Sequence, residues 1–286
     1  CMGFGCNAAG VVGCRIIDSP RERMIAILTN SFVPCNGRFP TLIAIITMFF
    51  AGISGGAGAS LLSAFLLTMF ILLGVAMTFF VSWILSKTVL KGVPSSFTLE
   101  LPPYRCPQVG KVILRSIMER TLFVLGRAAA VAAPAGMVLW ILANVSVNEA
   151  SLLAICSGFL DPFARLMGLD GVILLAFILG LPANEIVLPI IVMAYLAEGS
   201  IAETGSLPEM KALFVSHGWT MTTALCTMLF SLMHWPCSTT LLTIKKETGS
   251  WKWTILAALL PASLGIISCM IVNLSSTLMK SLSFFL

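Results

Sequence analysis

The stretch from Val172 to Leu196 reads VILLAFILGLPANEIVLPIIVMAYL and decides the fold class of this chain. Its length suits a membrane-crossing helix, which needs about 20 mainly apolar residues. The segment GLPANE at 180–185 interrupts that helix, because proline removes a backbone hydrogen bond and clashes with the preceding turn. Unpaired backbone at membrane depth is tolerated only beside protein or a water-filled cavity. The stretch therefore predicts a broken transmembrane helix beside a polar path.

The composition of the whole chain agrees with a membrane location. Of its 286 residues, 58% are hydrophobic and 10% are charged, whereas an ordinary soluble domain carries about 25% charged residues. Further long apolar runs cover Leu61–Leu85, Leu122–Leu142 and Trp253–Leu278. The chain begins at Cys1 with neither an initiator methionine nor a signal-peptide pattern, so we expect it to be part of a longer polypeptide.

An internal repeat relates the interruptions. GFGCN at 3–7 and GLPAN at 180–184 share a Gly-x-x-x-Asn pattern, and Pro34-Cys35-Asn36 corresponds to Pro236-Cys237-Ser238. The order is the same in both halves, and paired interruptions of this kind mark the binding sites of transporters. We predict an all-α, polytopic transmembrane helix bundle with two gate-type repeats of broken or re-entrant helices, each repeat holding one pair of interruptions.

The predicted divisions follow the apolar runs. Residues 1–86 form the first gate repeat and the following span, 87–127 a basic linker with an interfacial helix, and 128–286 a span, the second gate repeat and a C-terminal span. The positive-inside rule favours the cytoplasm for Lys87–Arg127. The basic clusters Arg15–Arg23 and Lys245–Lys252 compete for the same side. If every helix crossed the membrane in turn, the three clusters would not all lie on the same side. We therefore expect some broken helices to form re-entrant hairpins.

Seven residues at the interruptions are candidate metal ligands. Thiols beside amide oxygens fit a borderline divalent transition metal better than Na⁺ or Mg²⁺, which prefer oxygen ligands alone. We expect the three cysteines of this set to approach one another across the repeats, although free cysteine also serves as a small buried hydrophobe. The candidates are Cys6, Asn7, Cys35, Asn184, Glu185, His234 and Cys237.

Two of these candidates have competing interpretations. Glu185 is the only charge between Gly171 and Leu196 and is costly in lipid, so we expect it and Asn184 to face the protein interior. Glu185 also suits a helix cap, because a carboxylate is favoured at a helix N-terminus. His234 lies three residues before Cys237 and supplies a nitrogen if that turn is helical; otherwise it is a satisfied buried polar residue.

Several other functions lack their sequence signals. The Gly-rich segment 52–60 has no lysine of a P-loop, and no paired carboxylates or Ser/His/Asp set occur at plausible spacing. The basic residues lie between apolar runs and do not form an amphipathic face, so nucleic-acid binding is not expected. The nine cysteines contain no CxxC pair, so neither a disulfide framework nor a permanently bound cofactor is predicted.

The motifs together resemble a known family. GFGCN at 3–7, RIIDSPRER at 15–23, the Pro34-Cys35 interruption, LPANE at 181–185 and IKKETGSWK at 244–252 are similar, in this order, to the membrane region of bacterial ferrous iron transport protein B (FeoB). The resemblance implies a multi-pass protein of the bacterial inner membrane that transports Fe²⁺ as its substrate. Cys6, Cys35 and Cys237 then correspond to gate cysteines along the iron path, whereas His234-Trp235 departs from the family pattern.

The resemblance also implies partners. The family carries a GTP-binding G domain ahead of its membrane region and works with small accessory Feo proteins, and a homo-oligomer is compatible with it. GTPase activity would reside in that G domain, so this chain is not expected to be an enzyme. Two alternatives remain open from the residues alone. One is a carrier for nucleosides or other organic solutes, and the other is a membrane module whose cysteines sense redox state.

Overall fold

The protein is described by a computed structural model for residues 2–52, 56–92, 110, 123–147, 150–196 and 206–285. Two strands of two residues each, β1 (Ser146–Val147) and β2 (Ala150–Ser151), pair antiparallel. The remaining regular structure is helical and confirms the predicted all-α bundle. The helices are α1 (Met2–Gly5), α2 (Asn7–Gly13), α3 (Pro20–Thr29), α4 (Phe39–Ile45), α5 (Ala57–Lys87), α6 (Phe123–Asn144), α7 (Leu152–Leu166), α8 (Gly171–Leu179), α9 (Val187–Leu196), α10 (Leu207–Ser216), α11 (Met221–Met233), α12 (Ser238–Thr248) and α13 (Trp251–Phe285).

All four predicted interruptions are breaks between helices. In the first repeat, Cys6 separates α1 from α2, and residues 33–35 end the helical path of α3 before a 3₁₀ turn at Asn36–Arg38 leads into α4. In the second repeat, residues 180–183 separate α8 from the turn Asn184–Ile186 and α9, and residues 234–237 separate α11 from α12. The two halves therefore share a helix–break–helix plan.

Three helical stretches of the described residues are long and apolar enough to cross a membrane, namely Pro20–Ala51, Gly58–Lys87 and Trp251–Ser281. Helix α5 is buried along little of its length, and its exposed side chains include Leu61, Phe65 and Phe79. A helix with so apolar a surface is solvated by lipid. Gly74 lets α5 approach the first repeat closely, because a Cβ atom there would lie 2.6 Å from the carbonyl oxygen of Phe32.

Helix α7 is amphipathic and turns sharply into α8. The two helices form a bent pair with an angle of 108°. Phe159 on α7 is 85% exposed, whereas Ala164 is fully buried. The close contact inside the bend requires Gly171, since a Cβ atom there would lie 1.9 Å from the carbonyl oxygen of Ser157. An amphipathic helix of this kind suits the membrane interface, and the interfacial position expected for 149–169 stays a prediction.

Contacts at helix ends join the described parts of the three basic clusters, which for the cluster Lys87–Arg127 means the residues up to 92. Arg15 forms a bidentate ion pair with Glu247 at 2.7 Å, which joins the end of α2 to the end of α12. Arg21 donates to the carbonyl oxygens of Ser86 and Leu90, which joins the start of α3 to the end of α5. Gly249 has a φ of 64° and ends α12 in a left-handed cap before α13. Hairpins formed by broken helices thus allow these basic residues to lie near one another, which successive membrane crossings alone would not.

Candidate functional site

The helices that resume after the breaks begin in the same way. Cys6, Cys35, Ala183 and Cys237 are the N-cap residues, and each has an extended backbone. The side chains of Cys6, Cys35 and Ala183 make no capping hydrogen bond to the helix or turn that follows, whereas Cys237 Sγ lies near the Thr240 hydroxyl of α12. An N-terminus offers free N–H groups and the positive end of the helix dipole. Three of the four breaks therefore place a thiol at the start of the helix or turn that follows.

The breaks of the two repeats are in contact. The N–H of Ser238 donates to the carbonyl oxygen of Leu181 at 2.8 Å, which joins both breaks of the second repeat. The turn at Asn36–Arg38 packs against the turn at Asn184–Ile186. A Cβ atom on Gly37 would lie 3.9 Å from the Cβ atom of Asn184 and 3.3 Å from a carboxylate oxygen of Glu185. The first repeat thus reaches the second at its break.

The cysteines of the first and fourth breaks precede two helices that pack together. Helix α2 begins directly after Cys6 and packs along α12, which begins directly after Cys237. Cys35 is buried, and Cys6 and Cys237 are partly buried. The expected approach of the three cysteines across the repeats stays a prediction. Cys237 Sγ also lies 3.2 Å from the hydroxyl of Thr240, one turn into α12.

Asn184 connects Cys35 to His234 in the buried interior. His234 Nδ1 lies 2.9 Å from the carbonyl oxygen of Ser231 and 3.2 Å from that of Phe230, so Nδ1 carries the proton. Nε2 lies 3.2 Å from Asn184 Oδ1, and Asn184 Nδ2 lies 4.0 Å from Cys35 Sγ. Because the two ends of an amide are interchangeable by a flip, the turned amide would donate to Nε2 and accept from the thiol.

The first repeat has a buried amide at the corresponding place. Asn7 is 3% exposed, and its backbone carbonyl accepts a hydrogen bond from Asn30 Nδ2 at 2.8 Å. Its side-chain Oδ1 has no hydrogen-bond partner among the described residues, and the same holds for the hydroxyl of Ser238. Asn7 and Ser238 are the first residues of α2 and α12, which pack together. Orphaned buried oxygens at both breaks suit a path that water or a cation enters.

Glu185 differs from its expected position. Its side chain is exposed, whereas neighbouring Asn184 is 7% exposed. The expectation that both face the interior is therefore correct for Asn184 and wrong for Glu185. The reason is geometric: successive residues of the 3₁₀ turn at Asn184–Ile186 point in different directions, so burying the amide turns the carboxylate outward. Glu185 lies in the first helical turn after the break, where capping and a path role are both compatible.

The described part of the chain contains no group of three or more His, Cys, Asp or Glu residues arranged to hold a metal ion. The ligand roles of the seven predicted residues stay a prediction.

One central residue escaped the sequence analysis. Arg38 is fully buried, and its guanidinium lies between the two repeats. Nη1 donates at 2.8 Å to the carbonyl oxygens of Ser31 and Leu232, and Nη2 lies 3.2 Å from that of His234 and 3.4 Å from that of Trp235. A signal did exist, since Arg38 is the only charged residue between Arg23 and Lys87. Like Glu185, Arg38 is a lone charge among apolar residues, which in a membrane protein indicates a functional position.

Comparison with known proteins identifies relatives of the chain. The family model described as "Ferrous iron transport protein B C terminus" matches residues 66–119. The chain is 30% identical over 271 residues to the "Fe(2+) transporter FeoB" of Staphylococcus aureus (strain MSSA476), covering 91% of this chain and 37% of that protein. The "Fe(2+) transporter FeoB" of Methanocaldococcus jannaschii is 28% identical over 294 residues, covering 97% of this chain and 41% of that protein.

A third relative carries an additional unit. It is the "Fe(2+) transport protein A/Fe(2+) transporter FeoB fusion protein" of Porphyromonas gingivalis, 23% identical over 309 residues and covering 92% of this chain and 35% of that protein. The chain thus spans between a third and a half of the length of these relatives. No solved structure matches it.

Proposed function

The chain belongs to the ferrous iron transport protein B family, and from this premise we propose that it forms part of the membrane pathway of an Fe²⁺ transporter. Contact between helix breaks of the two repeats is the observation that carries the proposal. Two of the breaks are linked by a backbone hydrogen bond, and Gly37 of the second break lies against Asn184 and Glu185 of the third. Discontinuous helices that meet at membrane depth are the common construction of transporter sites.

The residue types at the breaks favour a transition metal as the substrate. The thiol of Cys35 lies 4.0 Å from the Asn184 amide, to which His234 also presents Nε2, and Cys6 and Cys237 directly precede Asn7 and Ser238 at the other breaks. Sulfur, nitrogen and amide oxygen together suit Fe²⁺ better than Na⁺ or Mg²⁺. A path that offers one or two such groups at a time binds an ion weakly enough to release it. We propose that the path is lined by Cys6, Asn7, Cys35, Asn184, His234 and Cys237, with Glu185 at its exposed edge.

The surroundings of the path follow from charge and from the relatives. We propose that the basic end holding Arg15, Arg21 and Lys87 faces the cytoplasm of a multi-pass inner-membrane protein. A G domain outside this chain would supply the GTPase activity, and the fusion protein of Porphyromonas gingivalis supports a small Feo protein as a partner. The division into 1–86, 87–127 and 128–286 is kept as a proposal, because most of the linker lies outside the described residues.

Uptake of radioactive Fe²⁺ into vesicles that contain the full-length protein tests the proposed function. We expect Fe²⁺ to accumulate under anaerobic, reducing conditions and excess nucleoside to leave the rate unchanged. Vesicles that accumulate nucleoside and no Fe²⁺ would refute an iron transporter and favour the organic-solute carrier. Iron uptake that vanishes on mild thiol oxidation and returns on reduction, without any change in metal binding, would favour the redox module.

Replacement Glu185→Gln tests the edge of the path. Because Glu185 is exposed and makes no ion pair among the described residues, we expect no change in thermal unfolding. Loss of the carboxylate should lower the rate of Fe²⁺ uptake about tenfold, which corresponds to a free-energy difference of about 1.4 kcal/mol. Glu209→Gln is the matched control, since Glu209 caps the distant helix α10. Normal uptake by the Glu185 variant at normal expression would leave only the capping role.

A further inference from the structure

Arg38 is a buried cation without a carboxylate partner in the described part of the chain. Its side chain is fully buried, and its Nε atom has no hydrogen-bond partner there. Its four acceptors are the backbone carbonyl oxygens of Ser31, Leu232, His234 and Trp235, here called the carbonyl cage. An uncompensated buried charge is very costly, so these carbonyl groups stabilise the guanidinium in place of an acid.

The carbonyl cage is itself suited to a cation. Leu232 lies in the last turn of α11, and His234 and Trp235 follow in the break, so their carbonyl groups form the negative end of the helix dipole. Ser31 belongs to the 3₁₀ turn at Asn30–Phe32, directly before the break of the first repeat. Carbonyl groups at the ends of interrupted helices are the groups that bind cations in transporters. In this structure the protein's own arginine occupies them.

The position of Arg38 also connects the breaks. It lies in the first repeat, one 3₁₀ turn after Cys35. Its guanidinium binds the second repeat through the carbonyl oxygens of Leu232 and Trp235, which lie before and after His234. Cys35 is the N-cap of the turn that holds Arg38, and Cys237 follows Trp235 by two residues at the start of α12. A fixed positive charge between these two breaks disfavours the approach of a dication. We therefore expect Fe²⁺ to be kept from this region while the guanidinium holds its place.

We propose that Arg38 is a latch, meaning that its guanidinium fills the carbonyl cage in the closed pathway and has to leave it before Fe²⁺ passes between the repeats. The proposal rests on the proposed transport function. It adds that the guanidinium of Arg38 competes with the transported ion for the carbonyl cage. Four hydrogen bonds to both repeats hold the latch closed. Release of the guanidinium frees the ends of α11 and of the turn at Asn30–Phe32 and separates the breaks.

Chemical modification of the unaltered full-length protein tests the latch without any mutation. Vesicles are treated with phenylglyoxal, which modifies arginine, at rest and during Fe²⁺ uptake, and each arginine is quantified by peptide mass spectrometry. We expect modification of Arg38 to become several-fold faster during uptake. Arg165 is the reference, because its side chain is 76% exposed and should react equally under both conditions. Equal protection of Arg38 in both states, with Fe²⁺ entering normally, would overturn the latch and leave the transport function intact.

Two variants test the latch by the reactivity of the native cysteines, a measurement that needs no iron. In Arg38→Gln we expect Cys35 and Cys237 to react with a small methanethiosulfonate about tenfold faster, since the loss of even one hydrogen bond to a charged group is worth about that factor. Arg38→Lys should react at an intermediate rate, because an ammonium group keeps the charge but lacks the planar fork. Arg165→Gln is the matched control and should behave like the parent.

Cys226 and Cys269 serve as internal references for folding, because both are fully buried between α11 and α13. Selective labelling of Cys35 and Cys237 in the Arg38 variants supports the latch. Parent-like rates at Cys35 and Cys237, with Cys226 and Cys269 still protected, would overturn it. Rapid labelling of all four cysteines would show that Arg38 is needed for folding and would count against the latch. Absence of Fe²⁺ uptake by the parent would refute the transport function without altering these labelling results.

Discussion

Joint replacement of Cys35 and Cys237 by alanine is expected to lower the preference of the protein for Fe²⁺ over Mn²⁺ about tenfold or more. Outer-shell partners of a metal alone are worth about 10–100-fold in affinity, and direct thiol ligands should be worth at least as much. The preference should fall because soft sulfur ligands favour the softer metal. Serine replacements should give the same loss. Competition between the two ions during uptake into vesicles measures the preference.

The acid dependence of the same variants gives a second readout. A protonated thiol is a poor ligand, so Fe²⁺ affinity of the parent should fall as the pH is lowered, and the alanine variant should lose much of that dependence. Cys156→Ala is the matched control, since Cys156 is partly buried on α7 away from the breaks. A double alanine variant with the parent's preference for Fe²⁺ and the parent's pH dependence would mean that these cysteines only fill space beside the prolines.

Replacement of His234 or Asn184 by leucine is expected to lower Fe²⁺ uptake about tenfold or more in each case. His234 Nε2 and the Asn184 amide are in contact at 3.2 Å, and the amide also approaches Cys35. Because groups that act as a unit have strongly non-additive effects, the double variant should be little worse than either single variant. His217→Leu is the control, since His217 is exposed and stacks on Tyr195 at the end of the bundle.

The parent, the two single variants and the double variant form a double-mutant cycle. Their initial rates of Fe²⁺ uptake measure the coupling between His234 and Asn184. Thermal unfolding of each variant separates loss of function from loss of structure, because His234 is also packed against the ring of Phe177. Multiplicative effects of the two replacements would show that His234 and Asn184 act independently. The contact seen here would then be packing without a shared role.

Much of the fold followed from local chemistry. Pro34, Pro182 and Pro236 each lie in one of the breaks, so three of the four breaks were readable from the sequence, although Pro134, Pro162 and Pro261 lie inside helices. The internal repeat predicted that the breaks correspond, and apolar length predicted the membrane-crossing helices at Leu61–Leu85 and Trp253–Leu278, whereas the crossing stretch Pro20–Ala51 was not among the predicted runs. The common N-cap position of Cys6, Cys35 and Cys237 was less apparent. It depends on the exact residue at which each helix resumes, which the sequence does not mark within one or two residues.

The remaining features depend on packing between distant segments. The exposure of Glu185 is set by the direction of one 3₁₀ turn, and one residue of rotation separates it from buried Asn184. The role of Arg38 depends on carbonyl groups almost 200 positions away, which carry no side-chain signature. Its isolation among apolar residues was visible, but its acceptors were not. The contact of Arg15 with Glu247, which joins two of the basic clusters, likewise could not be predicted from the sequence.

The claim that iron passes between the breaks beside their cysteines is tested most directly by X-ray absorption at the iron edge. The full-length protein is loaded anaerobically with Fe²⁺ in lipid nanodiscs, and the parent is compared with the Cys35→Ala/Cys237→Ala variant and with Cys156→Ala. A path lined by these thiols predicts sulfur scattering around iron in the parent and in Cys156→Ala, and its loss in the double variant. Iron surrounded only by oxygen and nitrogen in the parent, or sulfur scattering that survives in the double variant, would contradict it.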